Sequence, residues 1–132
     1  MNEERVCARC GRRMEERRRW RTRGLEVRYC SAKCRTLRMS GIDRTLEAEI
    51  LRLLGAAAAG SSICPSEVAR SARPEGWRPL MEATRSAARR LAARDLVEWT
   101  QRGRLVDPST ARGPVRIRRG KGWDEWRPEP TS

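Results

Sequence analysis

Residues 77–106 read WRPLMEATRSAARRLAARDLVEWTQRGRLV, and this stretch predicts a helix that is followed at once by a β-hairpin. Its apolar residues recur with the period of an α-helix, which we expect to run from about Pro79 to Arg94. At about 100° per residue, these residues fall on one face of the helix. The face consists of Leu80, Thr84, Ala87, Ala88 and Leu91. We expect it to pack against the core of a small domain.

The second part of the stretch has the alternating pattern of a half-buried strand, with Val97 and Trp99 as its apolar residues. Gly103 follows Arg102 at the tip of the predicted hairpin, where glycine can adopt the positive φ that a tight turn requires. A further strand is predicted over residues 115–118, with apolar side chains inward and basic ones outward. A helix followed by a tight basic hairpin is typical of the end of a winged helix-turn-helix. The predicted fold class is therefore mainly α with a small β-wing.

The polar side of the predicted helix carries arginines. Helical phasing places Arg78, Arg85 and Arg89 in one narrow stripe opposite the apolar face, which we expect to be exposed. In a winged helix such a stripe enters the major groove of DNA while the wing touches a flanking phosphate. We therefore predict nucleic-acid contacts from these three arginines, and from Arg102 and Arg104 at the hairpin tip.

Two helices are predicted upstream. The first begins with Asp43 as its N-cap and stops at Gly60, and its apolar residues follow the helical period: Leu46, Ile50, Leu53 and Leu54. The second covers residues 65–72, because proline suits its first position and Glu67 stands where a capping-box partner would. Cys64 precedes this helix and could be a reactive thiol. Since the chain has no histidine to activate it, we interpret Cys64 as a small buried or capping residue.

Four of the five cysteines form two close pairs, Cys7-x2-Cys10 and Cys30-x3-Cys34. Two pairs at these spacings predict one structural zinc ion in a tetrahedral four-cysteine site. Gly11 suits the tight turn of a zinc knuckle, and Ser31 could cap a short helix that carries the last ligand, which is a treble-clef plan. Redox-active or free thiols are the alternative. A catalytic zinc is disfavoured, since four protein ligands leave no open position for water.

The chain is strongly basic, with 30 Lys+Arg against 17 Asp+Glu and a formal net charge of +13. This imbalance favours attraction to polyanions, and arginine forks fit phosphates and guanine edges. Codon bias in a GC-rich genome is an equally good explanation of the arginine content. Four metal-bound thiolates and a divalent ion would reduce the charge to about +11.

The segment between the cysteine pairs carries the densest positive charge, with eight arginines around a single tryptophan. We predict phosphate contacts from several of them and consider that the tryptophan stacks on a base. The residues concerned are Arg17, Arg18, Arg19, Trp20 and Arg21. For Trp20 we favour the alternative that it forms the small core of the zinc module, because so small a module needs an aromatic to pack.

The N-terminal sequence MNEERVCARC has no apolar run of a secretory signal, and no stretch is long and apolar enough to span a bilayer. We therefore expect a cytoplasmic protein with no membrane association, in which paired cysteines bind metal and do not form disulfides. Trp123 and Trp126 lie in a tail rich in glycine, proline and charge. They either pack back on the domain, which we favour, or contact a partner.

The cysteine-rich segment resembles a short bacterial four-cysteine family of unknown function. The resemblance rests on C-x-x-C-G-R at residues 7–12, on Trp20, and on V-R-Y-C-S-x-x-C-R at residues 27–35. That family usually has an aromatic residue where Met14 stands here. The resemblance implies zinc binding and no known activity.

Residues 46–118 resemble a second bacterial family of unknown function. The matching segments are I-C-P-S-E-V-A-R, W-R-x-L-M, A-A-R-R-L, T-Q-R-G and R-G-P-V-R-I-R-R-G. Members look winged-helix-like, and the two families occur fused in this order. The chain is accordingly divided into a zinc module, a linker, a winged-helix-like domain and a flexible tail. Their bounds are residues 1–38, 39–42, 43–118 and 119–132.

These observations favour a nucleic-acid-binding protein, with DNA preferred over RNA as the partner of the helix and the zinc module adding phosphate contacts. A protein-interaction module for an acidic partner and an RNA-binding accessory protein are the alternatives, because fold alone does not fix function. We do not expect an enzyme or a small-molecule substrate. The sequence has no histidine, no paired carboxylates in a shared setting and no phosphate-cradling glycine loop.

Overall fold

The computed structural model describes residues 5–14, 28–37 and 39–125, and these ranges contain short helices and strands. The helices are α1 (Ala32–Leu37), α2 (Gly41–Ala56), α3 (Pro65–Ala72) and α4 (Met81–Ala93). The strands are β1 (Arg5–Val6), β2 (Arg13–Met14), β3 (Ser62–Ile63), β4 (Val97–Gln101), β5 (Arg104–Leu105) and β6 (Arg116–Arg119). Two 3₁₀ turns cover Arg78–Leu80 and Trp123–Glu125. The described part of the chain is thus mainly helical with small antiparallel sheets.

Helix α2 begins three residues earlier than the sequence predicted, and its N-cap is Ser40. Asp43 lies one turn inside the helix, where its carboxylate accepts hydrogen bonds from the backbone N–H of Ser40 at 2.8 Å and from the Ser40 hydroxyl at 3.1 Å. The prediction that Asp43 is the cap is therefore wrong. The helix also ends at Ala56, before Gly60, because the backbone of Ala57 is already extended. The predicted linker is correspondingly shorter.

Helix α3 has the predicted bounds and the predicted start. Pro65 occupies its first turn, where a missing N–H costs no hydrogen bond. The Cys64 backbone N–H donates to the Glu67 carboxylate at 3.2 Å, and the Cys64 and Ser66 side chains are 3.1 Å apart. The interpretation of Cys64 as a capping residue is confirmed.

Helix α4 packs the predicted apolar face into the core. All five residues of that face are buried, and the Thr84 hydroxyl donates to the Leu80 carbonyl at 2.8 Å, so its polar group is satisfied. Ala87, Ala88 and Leu91 of this face meet residues of α2, α3 and the sheet in one hydrophobic cluster that includes Leu46, Ile50 and Trp99. Among the described residues, Trp99 is the bulkiest fully buried side chain, 1% exposed.

The four-stranded sheet has the order β3-β6-β4-β5, and all of its pairings are antiparallel. The β4–β5 turn has positive φ at both Arg102 (51°) and Gly103 (78°), which is the geometry of a tight two-residue hairpin. In β6, Ile117 points into the core and Arg116 is exposed, as the sequence predicted.

Trp123 packs back on the domain, against the core cluster and beneath the Arg119 guanidinium, which lies 5.0 Å from its ring centre. This confirms the favoured interpretation for Trp123, whereas Trp126 lies outside the described residues. In the described part of the chain, no helix combines the length and the apolar character that crossing a membrane requires.

Candidate metal centre and arginine surface

The first cysteine pair sits in a turn between β1 and β2. The backbone N–H of Cys7 donates to the Arg12 carbonyl at 2.9 Å, and the N–H of Gly11 donates to the Cys7 carbonyl at 3.0 Å. The N–H of Cys10 points at the Cys7 sulfur, 3.5 Å away. Gly11 has φ = +78°, which glycine adopts without steric cost. This is the predicted knuckle turn.

The second pair stands at the start of α1. The Ser31 hydroxyl accepts a hydrogen bond from the Cys34 backbone N–H at 3.2 Å, so Ser31 caps this helix as predicted. Cys30 precedes the cap, and Cys34 lies one turn into the helix. The backbone N–H of Ala8 donates to the Arg28 carbonyl at 2.7 Å and holds the two halves of the module together.

The four sulfur atoms converge, all lying within 4.8 Å of one another. The Sγ atoms of Cys10 and Cys30 are 3.5 Å apart, and those of Cys30 and Cys34 are 3.7 Å apart. A tetrahedral ion with sulfur bonds of about 2.3 Å requires sulfurs about 3.8 Å apart. Cys7, Cys10 and Cys34 are buried, and only Cys30 is exposed. The four cysteines could therefore hold a metal ion.

Local contacts push the thiol pKa values apart. At Cys7, burial raises the pKa, but N–H groups of Cys10, Cys30 and Arg9 outweigh it and bring the pKa down to about 6. At Cys30, desolvation and the neighbouring thiols raise the pKa to about 12. Burial also raises the pKa of Cys10. A cation bound among these sulfurs would stabilise their thiolates and release the remaining thiol protons.

The cysteine module lies directly against α4. A Cβ atom added to Gly11 would stand 2.4 Å from the Arg89 Cβ and 2.6 Å from the Arg90 backbone nitrogen. Only a glycine allows this approach. On the other side of the module, the Arg13 guanidinium pairs with the Asp107 carboxylate, and the Arg13 backbone N–H donates to the Ser109 hydroxyl at 2.9 Å. The module is thus fixed to both the helix and the loop after β5.

Two consecutive arginines of α4 donate into the knuckle turn. Arg89 Nη1 donates to the Cys10 carbonyl at 3.4 Å, and Arg90 Nη1 donates to the Arg9 carbonyl. Arg90 also forms an ion pair with Glu47 of α2 at 3.0 Å. Both acceptor carbonyls belong to the turn that spans the first ligand pair. Hydrogen bonds therefore connect the cysteine cluster to α4.

The expectation that the arginine stripe of α4 is exposed is wrong for Arg89, whose side chain is 2% exposed. Its Nε donates to the Pro108 carbonyl at 3.0 Å, and its guanidinium lies 5.6 Å from the Trp99 ring centre. Burial lowers its pKa, as do the charges of Arg12 and Arg85, while Glu82 opposes the shift. The helical phase was correct, but the cysteine module and a loop cover this part of the stripe.

Arg85 is only half-buried. It donates to the carbonyls of Gly113 at 3.1 Å and Ala111 at 3.2 Å, and it stacks on Trp99 at 5.2 Å. Arg78 is exposed and lies 5.3 Å from the Trp77 ring centre. The stripe is therefore open at its N-terminal end and closed at its C-terminal end. A single-sequence pattern gives the direction of these side chains but does not show what covers them.

The hairpin-tip arginines, Arg102 and Arg104, are exposed as predicted. Three further arginines line surface cavities and were not among the predicted contacts: Arg12, Arg112 and Arg116. Arg12 lies 100 positions before Arg112, so no local pattern groups the three. The predicted contacts between the cysteine pairs lie outside the described residues, namely Arg17, Arg18, Arg19, Trp20 and Arg21.

Fold and site together define a class of protein, in which a four-cysteine module able to hold a metal is packed on a small basic domain of helices and an antiparallel sheet. The chain belongs to the family described as "Protein of unknown function (DUF3253)", which residues 43–120 match. Residues 2–37 match "Uncharacterized protein conserved in bacteria (DUF2256)". The two resemblances found in the sequence are thereby confirmed. No curated protein matches the chain.

Proposed function

We propose that the four cysteines hold one structural zinc ion, in a treble-clef-like module. Their sulfur separations fit a tetrahedral ion, and an all-thiolate site is typical of zinc or of an iron–sulfur cluster. Zinc is favoured because the first pair sits in a knuckle turn and the second on a helix start. Four protein ligands leave no position for a reacting water, so the ion would support the fold and perform no chemistry.

Metal analysis of protein purified under reducing conditions tests this proposal, with about one zinc per chain expected. Cys34→Ser should lose the metal, and Cys64→Ser should keep it, because Cys64 caps α3 and is not one of the four converging cysteines. If the purified protein instead contains iron and absorbs visible light, the four cysteines hold an iron–sulfur cluster and the zinc assignment is wrong. The absence of any metal from reduced protein would contradict the four-cysteine site.

Residues 41–119 also have the element order of a winged helix-turn-helix, and we infer that fold. Helix α2, strand β3, helices α3 and α4, and the β4–β5 hairpin follow one another as in that fold, and β6 closes the sheet between β3 and β4. In this interpretation α3 and α4 are the helix-turn-helix and β4–β5 is the wing.

The function that this arrangement supports best is nucleic-acid binding through phosphate contacts, with DNA preferred. The observation that carries the proposal is the hairpin tip, where Arg102 and Arg104 are exposed and neither pairs with a carboxylate of the described ranges. Arg78 is exposed in the turn before α4. Because Arg89 is buried, base reading by that end of α4 is not part of the proposal. Phosphate contacts from the wing and from the turn before α4 would orient the protein on the nucleic acid without reading its base sequence.

Fluorescence anisotropy with a labelled DNA duplex tests the function. Affinity should fall steeply between about 50 and about 200 mM salt, since each phosphate contact contributes about 0.9 to the slope of log K against log salt. Arg102→Ala/Arg104→Ala should reduce that slope by about 1.8. Arg44→Ala/Arg94→Ala is the charge-matched control, since both of its arginines are exposed away from the hairpin.

A flat salt dependence, or equal losses in the two double variants, would refute phosphate binding by the wing. The chain could instead bind polyglutamate and not the duplex, and the hairpin variant could lose this binding. That result would favour interaction with an acidic protein partner.

A further inference from the structure

Two surface cavities adjoin each other between the cysteine module and the hairpin. The first has a volume of about 570 Å³ and lies between Arg12, the N-terminal half of α4 and the loop 111–115. The second has a volume of about 740 Å³ and continues to Arg102 at the hairpin tip. Both are lined by the same four residues, Cys64, Arg112, Pro114 and Val115, so they form one continuous depression. We call it the arginine groove.

The groove is strongly positive. Six arginines line its two cavities, and Glu82 is the one acidic residue among the lining. The six are Arg12, Arg85, Arg89, Arg102, Arg112 and Arg116. Glu82 lies at the module end, 4.0 Å from Arg12 and 3.8 Å from Arg89, and its side chain is 69% exposed. Glu67 does not line the groove, but its carboxylate lies 3.8 Å from Arg116. Two exposed carboxylates cannot neutralise six guanidinium groups, so the groove attracts an extended polyanion.

Apolar surface lies between the positive charges. Pro65 and Met81 line the first cavity, and Pro114 and Val115 line both. A ligand that alternates phosphates with flat rings matches this surface, because guanidinium forks bind phosphates while guanidinium planes and apolar side chains pack on bases. Each cavity has the volume that proteins use to enclose one small ligand, roughly 300–1,000 Å³.

The shape of the site favours one strand over two. Proteins read a duplex with a convex helix or ribbon that enters a groove about 12 Å wide. Here the corresponding face of α4 is covered at Arg89, and the positive charge lines a depression. A positively charged channel that follows one backbone is how single strands are bound. On the basis of the proposed function, we propose that the arginine groove binds single-stranded nucleic acid, running from Arg12 to Arg102.

The test compares two double variants of equal charge in the full chain. Arg12→Ala/Arg112→Ala removes one arginine from the module and one from the loop, both exposed and neither part of the core. Arg44→Ala/Arg94→Ala removes two exposed arginines that do not line the groove. Anisotropy is measured with labelled oligothymidylate and with a duplex of the same length. Both variants must keep the melting temperature of the parent chain.

At about 0.1 M salt, loss of two contacts to a single strand should raise Kd about 25-fold, because each contributes about 0.7 to the salt slope. The control variant should change Kd less than about threefold. Glu82→Gln should strengthen binding, since it removes the carboxylate that competes with phosphate at the module end. Glu75→Gln, an exposed change of equal charge outside the groove, should have less effect.

The outcomes separate the two proposals. If the parent chain binds neither strand form, the proposed function fails. If it binds the duplex more tightly than the single strand and the groove variant binds both as the parent does, the function stands and the groove assignment is overturned. If the parent chain binds polyglutamate as tightly as the oligonucleotide, and the groove variant loses this binding, the groove assignment is overturned in favour of an acidic protein partner.

Discussion

Replacing Gly11 by alanine should separate the cysteine module from α4, and the cost can be estimated from its surroundings. The added Cβ would stand 2.4 Å from the Arg89 Cβ, 2.6 Å from the Arg90 backbone nitrogen and 2.7 Å from the Arg89 carbonyl carbon. Two of these atoms belong to the helix backbone, so a rotamer change cannot relieve the contact. Overpacking of this kind costs about 1–3 kcal/mol. The positive φ adds about 1–2 kcal/mol for a non-glycine residue.

Gly103 provides the matched control. It has the same φ of +78°, and a Cβ at Gly103 would meet no atom within 4 Å. Gly103→Ala therefore introduces the backbone strain without the contact. The difference between the two variants isolates the packing of module on helix, which we expect to be about 1–3 kcal/mol.

Thermal unfolding of the metal-loaded protein measures this difference. At roughly 4 °C per kcal/mol for a chain of this size, Gly11→Ala should melt roughly 4–12 °C below Gly103→Ala. Metal content must be equal in the two variants, so that loss of the ion does not enter the comparison. Equal melting temperatures would refute the reasoning, because they would mean that the module does not pack against α4 in solution.

The remaining predictions concern the other contacts of the same interface and the tail. Arg90→Met should lower the free energy of unfolding by about 3–5 kcal/mol, because it leaves the half-buried Glu47 without its partner. Urea denaturation measures this loss, with Arg94→Met at an exposed position as the control. Removing the metal with a chelator should speed amide hydrogen exchange more in α4 than in β4. The reason is that the Cys10 carbonyl, which accepts a hydrogen bond from Arg89 of α4, then loses its fixed position. Uniform exchange throughout both elements would contradict that coupling. Trp123→Ala should cost about 1–3 kcal/mol by the same denaturation assay, as its ring is half-buried, and an unchanged midpoint would show that the tail does not pack.

Local sequence patterns predicted the elements whose causes are local. Helix α3 has its predicted bounds because proline, serine and Glu67 define its first turn over adjacent residues. The buried face of α4 follows from helical period alone, and the hairpin follows from Gly103. The four cysteines were grouped by spacing, and the structure brings their sulfurs together. Each of these signals is complete within about 30 residues.

Contacts across the chain were beyond such patterns. The phase of α4 predicted Arg89 on the polar side of the helix, but nothing in the sequence shows that Gly11, 78 positions earlier, lies against it. The pairing of Arg13 with Asp107 is equally remote. The early start of helix α2, by contrast, has a local cause. Asp43 has the side chain of a cap but serves one turn inside, because Ser40 precedes it.

The contacts that cover Arg89 connect the cysteine cluster to the arginine surface. The turn that spans Cys7 and Cys10 supplies carbonyls that hold Arg89 and Arg90, and Arg12, two residues beyond Cys10, forms one wall of the groove. A change that undocks the module would therefore remove this wall and uncover the stripe of α4 in a single step. Under the proposed function, Gly11→Ala should weaken binding of a single strand and strengthen binding of a duplex, a reversal that loss of charge alone cannot produce because net charge is unchanged.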